Sequence, residues 1–180
     1  RGHEGCHLHP HEDGQREVYW GGYTLMAVNG GDGTIRSIRP QGSSERLWPG
    51  IVAADLDNDG SQEIVTASGD GILSVYGPNL TPVAGWPRNP TASGNELRSL
   101  AVADLDGNGD QEIAVCSTRS DNQWFVYEHT GAVRGGWPKM TDSDTDGYAA
   151  GCYNENVGLA DVDGDGQGEL IGPNDTHYVA

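Results

Sequence analysis

The sequence predicts an all-β chain made of four-stranded antiparallel blades of an incomplete β-propeller, and three observations predict it. One acidic, glycine-bearing unit recurs along the chain. Each copy runs into short segments rich in β-branched and aromatic residues, separated by turn residues. No segment suits a helix of useful length: 28 glycines and nine prolines punctuate the 180 residues, and apolar residues at helical spacing always meet a breaker.

The recurring unit reads "DLDNDGSQEIV" from Asp55, "DLDGNGDQEIAV" from Asp104 and "DVDGDGQGELI" from Asp161. A fourth, eroded copy, "HPHEDGQREVY" from His9, keeps Asp13, Gly14, Glu17 and Val18 in register but places histidines at the first two acidic positions. The copies start 46, 49 and 57 residues apart. Periods of this size indicate propeller blades, solenoid units or other arrays whose units bury their apolar faces against one another.

Taken in order, the units are expected at residues 1–48 (degenerate), 49–96, 97–150 and 151–180 (truncated). In the second, "EIVTASGDGILSVY" (63–76) reads as a hairpin turning at Gly-Asp-Gly. "QEIAV" (111–115) and "QWFVY" (123–127) form the equivalent pair in the third, and "YTLMAVNGGDGTIRSI" (23–38) is expected to be the same pairing in the first. The units close with "LWP" (47–49), "GWP" (85–87) and "GGWP" (135–138). There proline bars a central strand, and Trp48, Trp86 and Trp137 are expected to pack rather than stack on sugars. The last unit stops at "THYVA" (176–180), in its second hairpin strand. Three units and part of a fourth fall short of the roughly four to eight blades of a propeller. Residues 1–180 are therefore expected to be part of one propeller domain, completed by further blades of a longer chain or by other copies.

The acids have the pattern of a cation loop. Asp55, Asp57 and Asp59 stand at positions 1, 3 and 5, glycine follows, Ser61 can offer its carbonyl at position 7, and Glu63 closes at position 9. The same assignment gives Asp104, Asp106, Asn108, the Asp110 carbonyl and Glu112, then Asp161, Asp163, Asp165, the Gln167 carbonyl and Glu169. Alternate positions direct several oxygens to one point once the loop curls. Hard cations such as calcium take six to eight oxygens at ~2.3–2.6 Å, whereas magnesium demands a stricter octahedron, so calcium, about three ions, is the expected cofactor. An EF-hand would place its acid at position 12 between helices. A turn that binds nothing would explain one copy but not three with the same positions kept.

These motifs, with the Trp-Pro closures, resemble FG-GAP/VCBS repeats, the calcium-loop blades of integrin α-subunit propellers and of many secreted or surface bacterial proteins. The resemblance covers nearly the whole chain. It implies a β-propeller carrying calcium in the hairpin between the first two strands of each blade, in adhesion, carbohydrate-associated or scaffolding roles. The first copy departs from the pattern at His9 and His11, which puts a calcium ion there in doubt.

Two weaker candidate sites remain. His7, His9 and His11 alternate, near Asp13 and Glu17, and could hold a transition metal; an eroded loop with exposed histidines is the preferred alternative. "DSDTDGYAA" places Asp142, Asp144 and Asp146 like a fourth loop, but Ala150 stands at position 9 and a solvated connection is preferred. Cys6, Cys116 and Cys152 occupy non-equivalent positions without metal-ligand spacing, so neither a zinc site nor a disulfide framework is expected; Cys6–Cys152 pairing is compatible with an oxidising compartment.

A net charge of −17 excludes a general nucleic-acid binder, and no apolar run reaches the ~20 residues needed for membrane insertion. Loops of this kind fill where calcium is millimolar, which favours the cell exterior, cell surface or periplasm. The leading functional expectation is a non-catalytic module recognising a protein or glycan partner. The alternatives are a polysaccharide lyase, since rhamnogalacturonan lyases also resemble calcium-studded propellers, and a structural subunit of a surface assembly.

Overall fold

A computed structural model describes residues 7–10, 16–47, 51–91, 95–118, 123–140, 157–173 and 178–179. These residues contain no helix. They form four small antiparallel sheets in chain order, the arrangement of successive blades in an incomplete β-propeller.

The first sheet runs β1 (His7–Pro10), β2 (Arg16–Gly21), β3 (Leu25–Asn29) and β4 (Ile35–Ile38). The second runs β5 (Ile51–Ala54), β6 (Glu63–Ala67) and β7 (Leu73–Tyr76). The third is β8 (Leu97–Ala103), β9 (Glu112–Ser117), β10 (Gln123–Tyr127) and β11 (Lys139–Met140). The fourth is β12 (Gly158–Ala160), β13 (Glu169–Pro173) and β14 (Tyr178–Val179). Every neighbour in a sheet is also a neighbour in sequence, so each blade is a meander.

The second sheet lacks a regular fourth strand because Pro82 and Pro87 have no N–H to give it. Its outer segment is held only where donors remain: Val83 N–H bonds Val75 C=O at 3.0 Å, and Arg88 and Leu73 exchange bonds at 2.8 and 2.9 Å. The first blade differs from expectation by one strand. Residues 23–38 hold its third and fourth strands, because β2 pairs with β3 through the turn at residues 22–24 and β3 then pairs with β4. The equivalent of the 63–76 hairpin is therefore β2–β3. The hairpins expected at 63–76 and 111–127 form as β6–β7 and β9–β10.

Apolar side chains pack in three layers, one between each pair of successive sheets. Tyr19, Leu25 and Ala27 meet Ile51, Ile64 and Tyr76 between the first and second. Leu56, Val65, Val75 and Trp86 meet Leu97, Ile113, Val115 and Phe125 between the second and third. Leu105, Ala114, Trp124 and Val126 meet Val157, Leu159 and Leu170 between the third and fourth. A sheet packed on both faces needs apolar residues on both, which is why β6 (EIVTA) and β9 (EIAVCS) are buried along their whole length while β2 (REVYWG) mixes buried and exposed positions.

Trp86 is a packing residue: its ring lies 5.7 Å from that of Tyr127 and its Nε1–H bonds the His129 carbonyl of the next blade at 3.0 Å. Trp137 is partly buried against the third layer, and Trp48 lies outside the described residues. The cysteine expectation is corrected. Cys116, wholly buried on β9, is disulfide-bonded. Cys6 and Cys152 lie outside the described residues, and with three cysteines in the chain a bond at Cys116 is incompatible with the Cys6–Cys152 pair.

Candidate metal centres

The three acidic loops occupy one place in three blades, the connection between first and second strands: 55–62 joins β5 to β6, 104–111 joins β8 to β9, and 161–168 joins β12 to β13. Their backbones follow one path. Position 4 is left-handed in each, at Asn58 (φ 57°), Gly107 (73°) and Gly164 (81°), and so is position 6, at Gly60 (93°), Gly109 (97°) and Gly166 (89°). Open space surrounds Gly60, so it is the φ angle rather than crowding that calls for glycine there.

Two left-handed residues curl the loop around the first aspartate. Asp55 accepts the N–H groups of Asp59 and Gly60, both at 3.0 Å. Asp104 accepts those of Gly107 (2.7 Å), Asn108 (3.2 Å) and Gly109 (3.0 Å), and Asp161 those of Gly164 (2.6 Å) and Gly166 (2.9 Å). Desolvation raises Asp104, but the backbone donors together outweigh it and hold its carboxyl below the ordinary aspartate value. At position 5, Asp59, Asn108 and Asp165 accept the N–H of position 7, at Ser61 (2.7 Å), Asp110 (2.6 Å) and Gln167 (2.8 Å).

The closing glutamate enters from the strand side. Its Oε2 accepts the N–H of position 2 in all three loops: Leu56 to Glu63 at 3.0 Å, Leu105 to Glu112 at 2.7 Å and Val162 to Glu169 at 2.8 Å. Carboxylate oxygens of Asp55, Asp57 and Glu63, of Asp104, Asp106 and Glu112, and of Asp161, Asp163 and Glu169 each gather within 4.8 Å of one another. Burial pushes the Glu63 carboxyl above the ordinary glutamate value; the Leu56 N–H pulls the other way, and the charges of Asp57, Asp59 and Asp55 add to the rise. Burial likewise raises Glu112, against the pull of the Leu105 N–H and Arg134 and with the push of Asp106 and Glu128.

Such a set suits a hard cation. Every donor is oxygen, the acids repel one another unless neutralised, and Glu112 Oε1 is buried without accepting a hydrogen bond. Among the acidic side chains, those at positions 1, 3 and 9 converge, while Asp59, Asn108 and Asp165 accept backbone N–H groups that brace the loops.

The loops are also joined to one another. Leu56 C=O accepts Gln111 N–H at 2.8 Å, and Leu105 C=O accepts Gly168 N–H at 3.0 Å. The leucine at position 2 thus donates to its own glutamate, accepts from the next loop and buries its side chain in the layer between blades. Sequence reading passed over this residue, although an apolar residue follows the first aspartate in every intact copy, at Leu56, Leu105 and Val162.

The eroded copy is different. Pro10 stands at position 2 and has no N–H for Glu17, which is buried and instead accepts the Tyr19 hydroxyl at 2.7 Å and pairs with Arg36. The backbone pairs His9 with Glu17 and His7 with Tyr19. The side chains of His7 and His9, and the whole of His11, Asp13, Asp142, Asp144 and Asp146, lie outside the described residues.

Residues 104–172 match the FG-GAP-like repeat family, a span that starts at the first aspartate of the second loop and takes in the third. No curated protein matches the chain.

Proposed function

We propose that this chain, which carries an FG-GAP-like repeat, is a calcium-binding propeller module of the cell exterior that recognises a protein or glycan partner without catalysing a reaction on it. The observation that carries the reading is the threefold recurrence of one constellation. Two aspartates and a strand-borne glutamate converge within 4.8 Å in three successive blades, on loops of the same backbone path. Asp55, Asp57 and Glu63, with their counterparts, would hold the ion, and the ion would fix each loop by cancelling the repulsion among its acids. The loops in turn anchor the leucines between blades, so calcium would set the rigidity of the surface offered to a partner. A buried disulfide at Cys116 supports an oxidising compartment, where calcium is also abundant.

Calcium and magnesium titrations followed by thermal melting test the cation. Calcium is expected to raise the melting temperature more than magnesium, and Asp57→Ala to reduce that gain. An unchanged melting temperature up to millimolar calcium would refute the reading. Retention on an immobilised glycan panel, repeated with a chelator, tests the recognition role; binding there is expected to depend on calcium.

A further inference from the structure

The three acidic loops share a backbone but not their surroundings. Arg134, on the outer segment of the third blade, sends its guanidinium into the second loop: Nη2 lies 3.0 Å from Asp106 Oδ2 and Nη1 lies 3.5 Å from Glu112 Oε1. Those are two of the three converging carboxylates. Nη1 also lies 3.3 Å from Glu128, whose charge faces the same place.

Sheet register identifies the equivalent residue in the other blades. Arg134 N–H bonds Val126 C=O and Val83 N–H bonds Val75 C=O, while Arg36 is paired with Ala27. Val126, Val75 and Ala27 are equivalent because each sits across from the second residue after its blade's glutamate, at Ala114, Val65 and Tyr19. Arg36, Val83 and Arg134 therefore occupy one position. Arg36 pairs with Glu17, the counterpart of Glu112, in the blade whose first two acids have become histidines. Val83 packs into the apolar layer, and among the described residues no cationic group pairs with Asp55, Asp57 or Glu63.

We propose that Arg134 is a built-in counter-cation that competes with calcium for the loop at residues 104–112, making that site weaker than the one at 55–63; the inference rests on the calcium reading above. The three blades form a series. In the first, arginine replaces the ion. In the third, arginine and ion contend for Asp106 and Glu112. In the second, the ion has no rival. Calcium entering the 104–112 loop must displace the guanidinium or bind beside it against its charge, so affinity falls there while the ion-free blade is held together.

Calcium calorimetry and calcium-free melting of the full chain test this with Arg134→Met, which keeps the aliphatic stem, and with Asp57→Ala to assign the 55–63 loop. Wild type is expected to show a weaker site that survives Asp57→Ala. Arg134→Met is expected to tighten that site by about tenfold or more and to lower the calcium-free melting temperature. Arg134→Lys, which keeps the charge without the fork, serves if the methionine variant does not fold, and its weak site is expected to move less than threefold. Calcium binding with the weak site unmoved by Arg134→Met would overturn the role of Arg134 and leave the calcium reading intact. Absence of calcium binding in wild type and variant alike would overturn both.

Discussion

Replacing Glu63 with glutamine should change stability in opposite directions with and without calcium. Glu63 is nearly buried, accepts the Leu56 N–H at 3.0 Å and has oxygens of Asp55 and Asp57 within 4.8 Å. Two unit charges that far apart repel by about 0.9 kcal/mol in bulk water and about 3.5 kcal/mol at an effective dielectric of 20. The aspartates are solvent-facing, so about 1 kcal/mol for each of two neighbours is the reasonable figure. Glutamine removes both repulsions but accepts the Leu56 N–H about 1 kcal/mol less strongly than a carboxylate. The net is a gain of about 1 kcal/mol for the calcium-free protein at neutral pH, or about 2–4 °C for a chain of this size. With calcium at a hundredfold excess over its Kd, a site contributes about 2.7 kcal/mol, which the variant forfeits, a fall of about 5–11 °C relative to the calcium gain of wild type.

The pH dependence has a matching sign. A raised folded-state value means that protonated Glu63 favours the folded calcium-free chain, a contribution fully present below the ordinary glutamate value of 4.5 and lost as pH rises through the folded value. Calcium needs the ionised form, so its stabilisation grows over the same interval. Glu63→Gln should flatten both trends. The assay is thermal melting with chelator and with calcium, across pH. A variant that gains stability equally in both conditions would show that the loop is an acidic turn without an ion and would sink the argument.

Leu105→Ala tests the link between loops: its side chain packs on Gly168 of the next loop and in the third apolar layer, so truncation should cost about 2–5 kcal/mol and lower the melting temperature by about 4–20 °C. A loss below about 2 °C in a melting scan would mean the residue is not a packed plug. Reduction of the Cys116 bond should cost about 2–5 kcal/mol, and thiol counting on the denatured chain should find one free cysteine before reduction and three after it. Three free thiols before reduction would contradict the bond.

The repeat, the all-β character and the loop pattern were legible in the sequence. Short runs rich in β-branched residues and bounded by turn residues, such as "QEIV" and "QEIAV", read as strands, and Asp-x-Asp-x-Asp/Asn-Gly encodes a loop whose left-handed residues fall where asparagine or glycine stands. These signals are local, carried by neighbours a few residues apart. The one-strand offset in the first blade was not legible, because "YTLMAVN" suits a third strand as well as a second and only pairing with β2 decides. Arg36 and Arg134 were equally hidden. They meet their glutamates across 19 and 22 residues, separations set by turns of different length, so no fixed spacing marks them. Which leucines plug the layers between blades was settled only by the tertiary structure, since it depends on faces that become neighbours when one sheet is stacked on the next.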